Sequence, residues 1–256
     1  MKKITLRQIV NVLALIATLI VNTLANALPL NNISTGDISD MFEVYFVPAG
    51  YVFSIWGVIY LALTAFIVYQ ALPAQRENPN LQRIGYWFLL SCLANMAWLF
   101  TWHYLRFPLS MVVMLILLAT LIVIYLKLNI GRTKFSGAEK WCVQIPFSIY
   151  LGWITVATIA NATSLLDHLG WNGWGITPEI WTVIMLLVAT VVAWLMAILR
   201  RDVAYLLVLV WAFAGIAVKH VGTPLVANSA WAATALVAIA AVTAFYLKSR
   251  TETAPA

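Results

Sequence analysis

Charge is what this 256-residue chain has least of: Asp, Glu, Lys and Arg together make up 9% of it, against roughly 25% in ordinary soluble domains. That scarcity excludes a normal water-facing surface. With 63% hydrophobic residues and a mean hydropathy of +0.92, the chain reads as an integral membrane protein. Cysteine is nearly absent as well. Cys92 and Cys142 fall inside or at the edge of apolar runs, where they act as small packing residues and not as a disulfide. The signatures of soluble catalysis are missing: there is no glycine-rich phosphate loop, no HExxH, no CxxC and no G-x-S-x-G elbow. No catalytic residue is expected. His103, His168 and His220 are the only histidines, at outer span ends or in an outer loop without metal-ligand spacing, so no metal site is expected and all three are read as solvated.

What the chain does have is long apolar runs. A hydrocarbon core of about 30 Å takes about 20 helical residues, and eight such runs can be drawn. They lie near Ile9–Leu28, Gly50–Leu72, Ile84–Tyr104, Pro108–Leu128, Trp141–Thr163, Ile180–Leu199, Val203–Val221 and Asn228–Leu247. The expected fold is an all-α polytopic helix bundle of about eight transmembrane helices. With both termini cytoplasmic, 13 of the 15 Lys and Arg residues fall inside and only Arg106 and Lys219 fall outside, which is the positive-inside pattern. The formal net charge of +6 follows from that asymmetry. It points to contact with anionic membrane lipid and gives no reason to invoke nucleic acid. Helical spans with this bias fit a bacterial inner membrane. The opening MKKITLRQ, its apolar run and Ala25-Asn26-Ala27 imitate a leader peptide, but the run is long enough for a span.

No Asp or Glu lies inside a span so drawn, although Glu179 sits at an edge. Proton coupling through a buried carboxylate therefore lacks its usual participant. Lys219, at the outer end of GIAVKH, is expected to snorkel to the interface. The outer loops carry Asp37, Asp40 and Glu43, then Asp167, Trp171 and Trp174. The first of them, from Asn31 to Val47, is positioned to close an outward mouth. The last span, NSAWAATALVAIAAVTAFYL, sets small side chains on several faces. That composition favours tight helix packing or a contact between copies in a homo-oligomer.

Tryptophan and asparagine are the residues left to explain. LANMAWLFTWHY puts Asn95, Trp98 and Trp102 on one helical face. YLGWITVATIAN aligns Trp153, Ala157 and Asn161 at i, i+4 and i+8, after Tyr150. Trp56 and Tyr60 share a face one turn apart, and Asn22 and Asn26 end the first span on the same outer side. Interhelical glue accounts for each stripe alone. Together they describe aromatic walls with convergent amides, suited to a planar, largely apolar ligand.

The stretches FVPAGYVFSIWGVIY, LANMAWLFTWHY and YLGWITVATIAN, in that order, resemble the TspO/MBR family of translocator or tryptophan-rich sensory proteins. The resemblance covers residues 1–165, as a five-helix unit, and leaves residues 166–256 as a three-helix extension. Phe53-Ser54-Ile55-Trp56 lacks the family's proline and is one residue shorter; Tyr51 stands where the family has Trp, and Ile149 replaces another proline, with Pro146 one turn earlier. The likeness implies binding of a tetrapyrrole (porphyrin or haem) or a sterol-like molecule. It implies ligand contacts at Trp56, Asn95, Trp98, Trp102, Tyr150, Trp153, Ala157 and Asn161, with Tyr51, Phe53, Tyr60 and Asn26 as secondary candidates. A small-molecule permease whose path includes the last three helices is the alternative function. An enzyme acting on bound porphyrin in light is a third, without an acid, base or metal set to support it.

Overall fold

The computed structural model describes residues 5–27, 30–135 and 137–253, the side chains of Asn26 and residues 251–253 excepted. Every regular element among them is helical. Six helices are long and apolar enough to cross a membrane: α1 (Leu6–Ala27), α3 (Ile55–Ala71, entered through a 3₁₀ turn Gly50–Ser54), α6 (Phe107–Lys127), α8 (Ile145–His168), α9 (Pro178–Leu199) and α11 (Pro224–Thr253). Two 17-residue helices, α5 (Trp87–His103) and α10 (Val203–Lys219), complete the eight. At about 1.5 Å per residue each of these two covers about 25 Å, the short end of the spanning range. The chain is thus an all-α polytopic membrane protein. The short helices α2 (Thr35–Ser39) and α4 (Pro79–Ile84) lie in loops, and a break at Gly85 starts α5 three residues later than the apolar run suggests.

Local sequence sets these ends. Ser34 and Asp37 form a reciprocal capping box at α2, Asn78 caps α4, and Asp202 caps α10 by accepting from the Tyr205 amide. Prolines open α4, α9 and α11, where the missing N–H costs nothing. A three-residue turn, α7 (Gly137–Glu139), leads through a π-helical stretch, Lys140–Gln144, into α8. Pro146 lacks an N–H and its ring would collide with the preceding turn; the wider π turn before it relieves that conflict.

Helix α8 is the axis of the bundle. About 61% of its apolar stretch is buried inside the protein, against 33–39% in the other five long spans. It packs on α6 and α3 on one side and on α10 on the other. A Cβ at Gly152 would stand 3.1 Å from the Tyr205 carbonyl oxygen, so this glycine permits the close approach of α10. Helix α11 contributes a heptad of small residues, Ala230, Ala233, Val237, Ala240 and Ala244, all buried against α9 and α10.

Candidate functional site

The sequence stripes converge. Trp56 lies at the centre, stacked on Tyr60 at 5.4 Å and on Trp98 at 6.5 Å between ring centroids, with Tyr150 and Trp153 meeting it edge-on. Trp98 continues the stack onto Trp102 at 5.7 Å, and Phe53 packs edge-on against Trp153. Helical spacing on α5 and α8 turns Trp98 and Trp153 toward Trp56 of α3, and edge-to-face and offset geometries suit their quadrupoles.

Between the rings is a small cavity of about 40 Å³. Phe53, Trp56, Trp98, Trp102, Trp153, Ala157 and Asn161 line it, together with Ser164 and, from the outer loop, Thr35, Ser39 and Pro48. None of its lining residues is charged. Asn161 accepts from Trp98 Nε1 at 2.9 Å and donates to Ser110 Oγ at 3.1 Å, so its amide is held in one orientation. Two buried donors on the wall have no hydrogen-bond partner among the described residues: Trp153 Nε1 and Ser164 Oγ. An orphaned buried donor costs about 1–3 kcal/mol, and two on one cavity wall require explanation.

Other expected site residues are placed elsewhere. Asn95 and Tyr150 lie beyond the cavity wall in a polar knot: Asn95 donates to the Tyr150 hydroxyl at 3.0 Å, while Asn22 donates to Asn95 Oδ1 at 3.0 Å. Tyr60 reaches the same oxygen at 3.5 Å. These groups satisfy one another and join α1, α3, α5 and α8. Tyr51 is half exposed and packs edge-on against Trp211 of α10, away from the cavity. The side chain of Asn26 lies outside the described residues.

The loop between α1 and α3 covers the cavity. Trp102 Nε1 donates to the Thr35 carbonyl at 3.3 Å, and Phe42 packs on Trp102 and Phe107. His103, expected to be solvated, is fully buried. Its Nδ1 faces the Leu30 carbonyl at 3.1 Å, which can only accept, so Nδ1 carries the proton and Nε2 accepts from Thr35 Oγ1 at 2.9 Å. The reason is local: α2 folds back over α5 and takes the space in which water would have stood.

Reading the spans alone also misses Asp202. It is 2% exposed, at the junction of α9 and α10, and its Oδ2 accepts from Tyr125 at 2.8 Å and from Ser148 at 2.7 Å. Burial pushes its carboxyl above the usual carboxylate range. Lys219 does not simply snorkel but pairs with Asp40 of the outer loop. Among the described residues no cluster of His, Cys, Asp and Glu is suited to hold a metal ion.

The sequence profile of the TSPO-like protein family matches residues 8–243, a range that begins in α1 and ends in α11. No curated protein and no solved structure matches the chain significantly.

Proposed function

The chain belongs to the TSPO-like protein family, and from that premise we propose that it is a membrane binding protein, of the sensor or translocator type, for a flat hydrophobic ligand. The ligand class is a tetrapyrrole such as a porphyrin or haem, or a sterol-like molecule. One observation carries the reading: Trp153 Nε1 and Ser164 Oγ are buried without partners on the wall of an aromatic, uncharged cavity. A planar ligand with an acceptor on its edge would satisfy both donors while its face lies on Trp56 and Trp98.

At about 40 Å³ the cavity is far below the roughly 300–1,000 Å³ of ligand pockets. Binding therefore requires the segment bearing Thr35, Ser39 and Pro48 to lift and the ring stack to part. The distribution of Lys and Arg supports a mouth on the outer face and cytoplasmic termini.

Titration of the purified protein with protoporphyrin, followed by tryptophan fluorescence, tests the assignment. Saturable quenching is expected, weakened several-fold in Trp153→Phe, which keeps a ring and removes the N–H. Affinity indifferent to that change and to Asn161→Ala, in variants that fold, would sink it. Uptake into sealed vesicles separates binding from transport, since a binding protein alone gives no accumulation.

A further inference from the structure

The aromatic cavity is not the only hollow in the described structure. A trough of about 740 Å³ runs along the flank of the bundle between α3, α8, α10 and the end of α11. It exists because α3 and α10 are joined at one end only. There the Ala49 amide donates to the Gly215 carbonyl at 3.1 Å, and Trp211 Nε1 donates to the Val52 carbonyl at 3.1 Å. Beyond that seam the two helices enclose the trough, with α8 as its floor.

Its chemistry is graded from end to end. One end holds Lys140, Lys248 and Ser249, with the exposed indole of Trp141 beside them. From there the walls are apolar: Ile145 and Ile149 on α8, Val203, Ala204 and Leu207 on α10. Trp211 stands at the far end, beside the seam with Val52. The advance from Val203 to Trp211 is about 12 Å at the helical rise of about 1.5 Å per residue, close to half of a hydrocarbon core of about 30 Å. The trough is therefore one leaflet deep, cationic and hydroxyl-bearing at the headgroup level and apolar below it.

Two acids among the described residues lie near the cationic end, and each is held by neutral donors. Glu139 accepts from Asn78 at 2.8 Å and from Asn80 at 3.2 Å, which draws it toward α4. Asp202 lines the trough, but its carboxylate accepts from Tyr125 and Ser148, and it attracts Lys248 to that end. Among the described residues Lys140 makes no salt bridge, and its ammonium is exposed at the mouth.

We propose that this trough is a binding site for one anionic phospholipid of the leaflet in which the lysines lie, with the phosphate between Lys140 and Lys248 and an acyl chain along α10 to Trp211. Charge complementarity selects the headgroup, and the leaflet-deep apolar walls select a lipid over a soluble anion. The site is separate from the aromatic cavity and stands or falls independently of the ligand proposed for it.

Native mass spectrometry of the full chain, delipidated and then offered palmitoyl-oleoyl phosphatidylglycerol or phosphatidylcholine, tests the proposal. One phosphatidylglycerol is expected to be retained, at least about fivefold over phosphatidylcholine, with retention falling as salt rises. Lys140→Gln with Lys248→Gln should abolish the preference, and Ala204→Phe, which fills the trough, should lower retention of both lipids. The unfolding temperature and the helical circular dichroism report whether each variant is folded. Equal retention of the two lipids by the unaltered chain, or a preference without salt dependence, overturns the proposal. So does a preference that survives both sets of changes.

Discussion

The two ends of the chain pack by opposite means. From α1 to α8 the interior is built from large flat rings, among them Trp98, Trp102, Trp153, Phe66, Phe88 and Phe147, interleaved with buried amides. From α9 to α11 alanines predominate along the helix seams, including Ala189, Ala193, Ala197, Ala212, Ala240 and Ala244, and Tyr205 and Phe213 are the buried rings. Alanine seams bring backbones close, carry no polar atom and leave nothing to adjust. Rings leave gaps when they pack edge-on, and their polar edges need partners that a neighbour does not always supply. Both features of the candidate site, the void and the orphaned donors, belong to the aromatic half. The alanine half supplies a rigid backing against which that half can rearrange.

The same substitution should therefore have opposite consequences in the two halves. Ala240→Leu forces three additional heavy atoms into a seam with no room and should cost about 1–3 kcal/mol or more, visible as a lower unfolding temperature in detergent. Ala157→Leu enters the wall of the cavity, so part of the added volume falls into an existing void and its stability cost should be smaller than that of Ala240→Leu. Its porphyrin quenching should nevertheless disappear. Equal destabilisation by the two changes would break the contrast.

Ser164→Ala gives a finer measure. Removing a buried hydroxyl with no partner takes away a desolvation penalty, so the variant should be as stable as the unaltered chain or more stable by up to about 1 kcal/mol. Ligand affinity should fall. A clear loss of stability would mean that the hydroxyl has a partner.

The smallest expected effect lies at the outer seam between the halves. His220 faces the Val47 carbonyl at 3.3 Å and packs edge-on against Tyr45, beside the Lys219–Asp40 pair. Burial lowers its pKa below the ordinary value. Neutral His220 is thus the form favoured by folding, and its contribution is fully present above the unfolded-state pKa and lost as pH falls through the folded one. Protease access to the outer loop should rise modestly between pH 7.5 and pH 5, and His220→Gln should flatten that rise.

How much of this was legible follows from the range of each interaction. The eight helices come from runs of local hydropathy, and the convergence of Trp56, Trp98 and Trp153 from helical periodicity, both readable residue by residue. Ser164 extends the stripe of Trp153, Ala157 and Asn161 by three positions and was within reach of the same reading. Asp202 was not: its partners Tyr125 and Ser148 stand 77 and 54 residues away, and beside two arginines it looks like any loop acid. Asn95 shows the converse limit. Periodicity correctly aims it inward, yet only the fold reveals that Asn22, Tyr60 and Tyr150 occupy it.

The seam between α10 and the start of α3 bears on the order in which the molecule is made. A Cβ at Gly215 would stand 2.2 Å from Val52, and the Gly215 carbonyl holds the Ala49 amide. The Gly50–Ser54 turn that presents Phe53 and Trp56 thus rests on a residue synthesised more than 150 positions later. Early helices can enter the bilayer as they emerge, but this turn has no seat until α10 arrives. The wall that Phe53 and Trp56 give the aromatic cavity is therefore set only after α10 has been made.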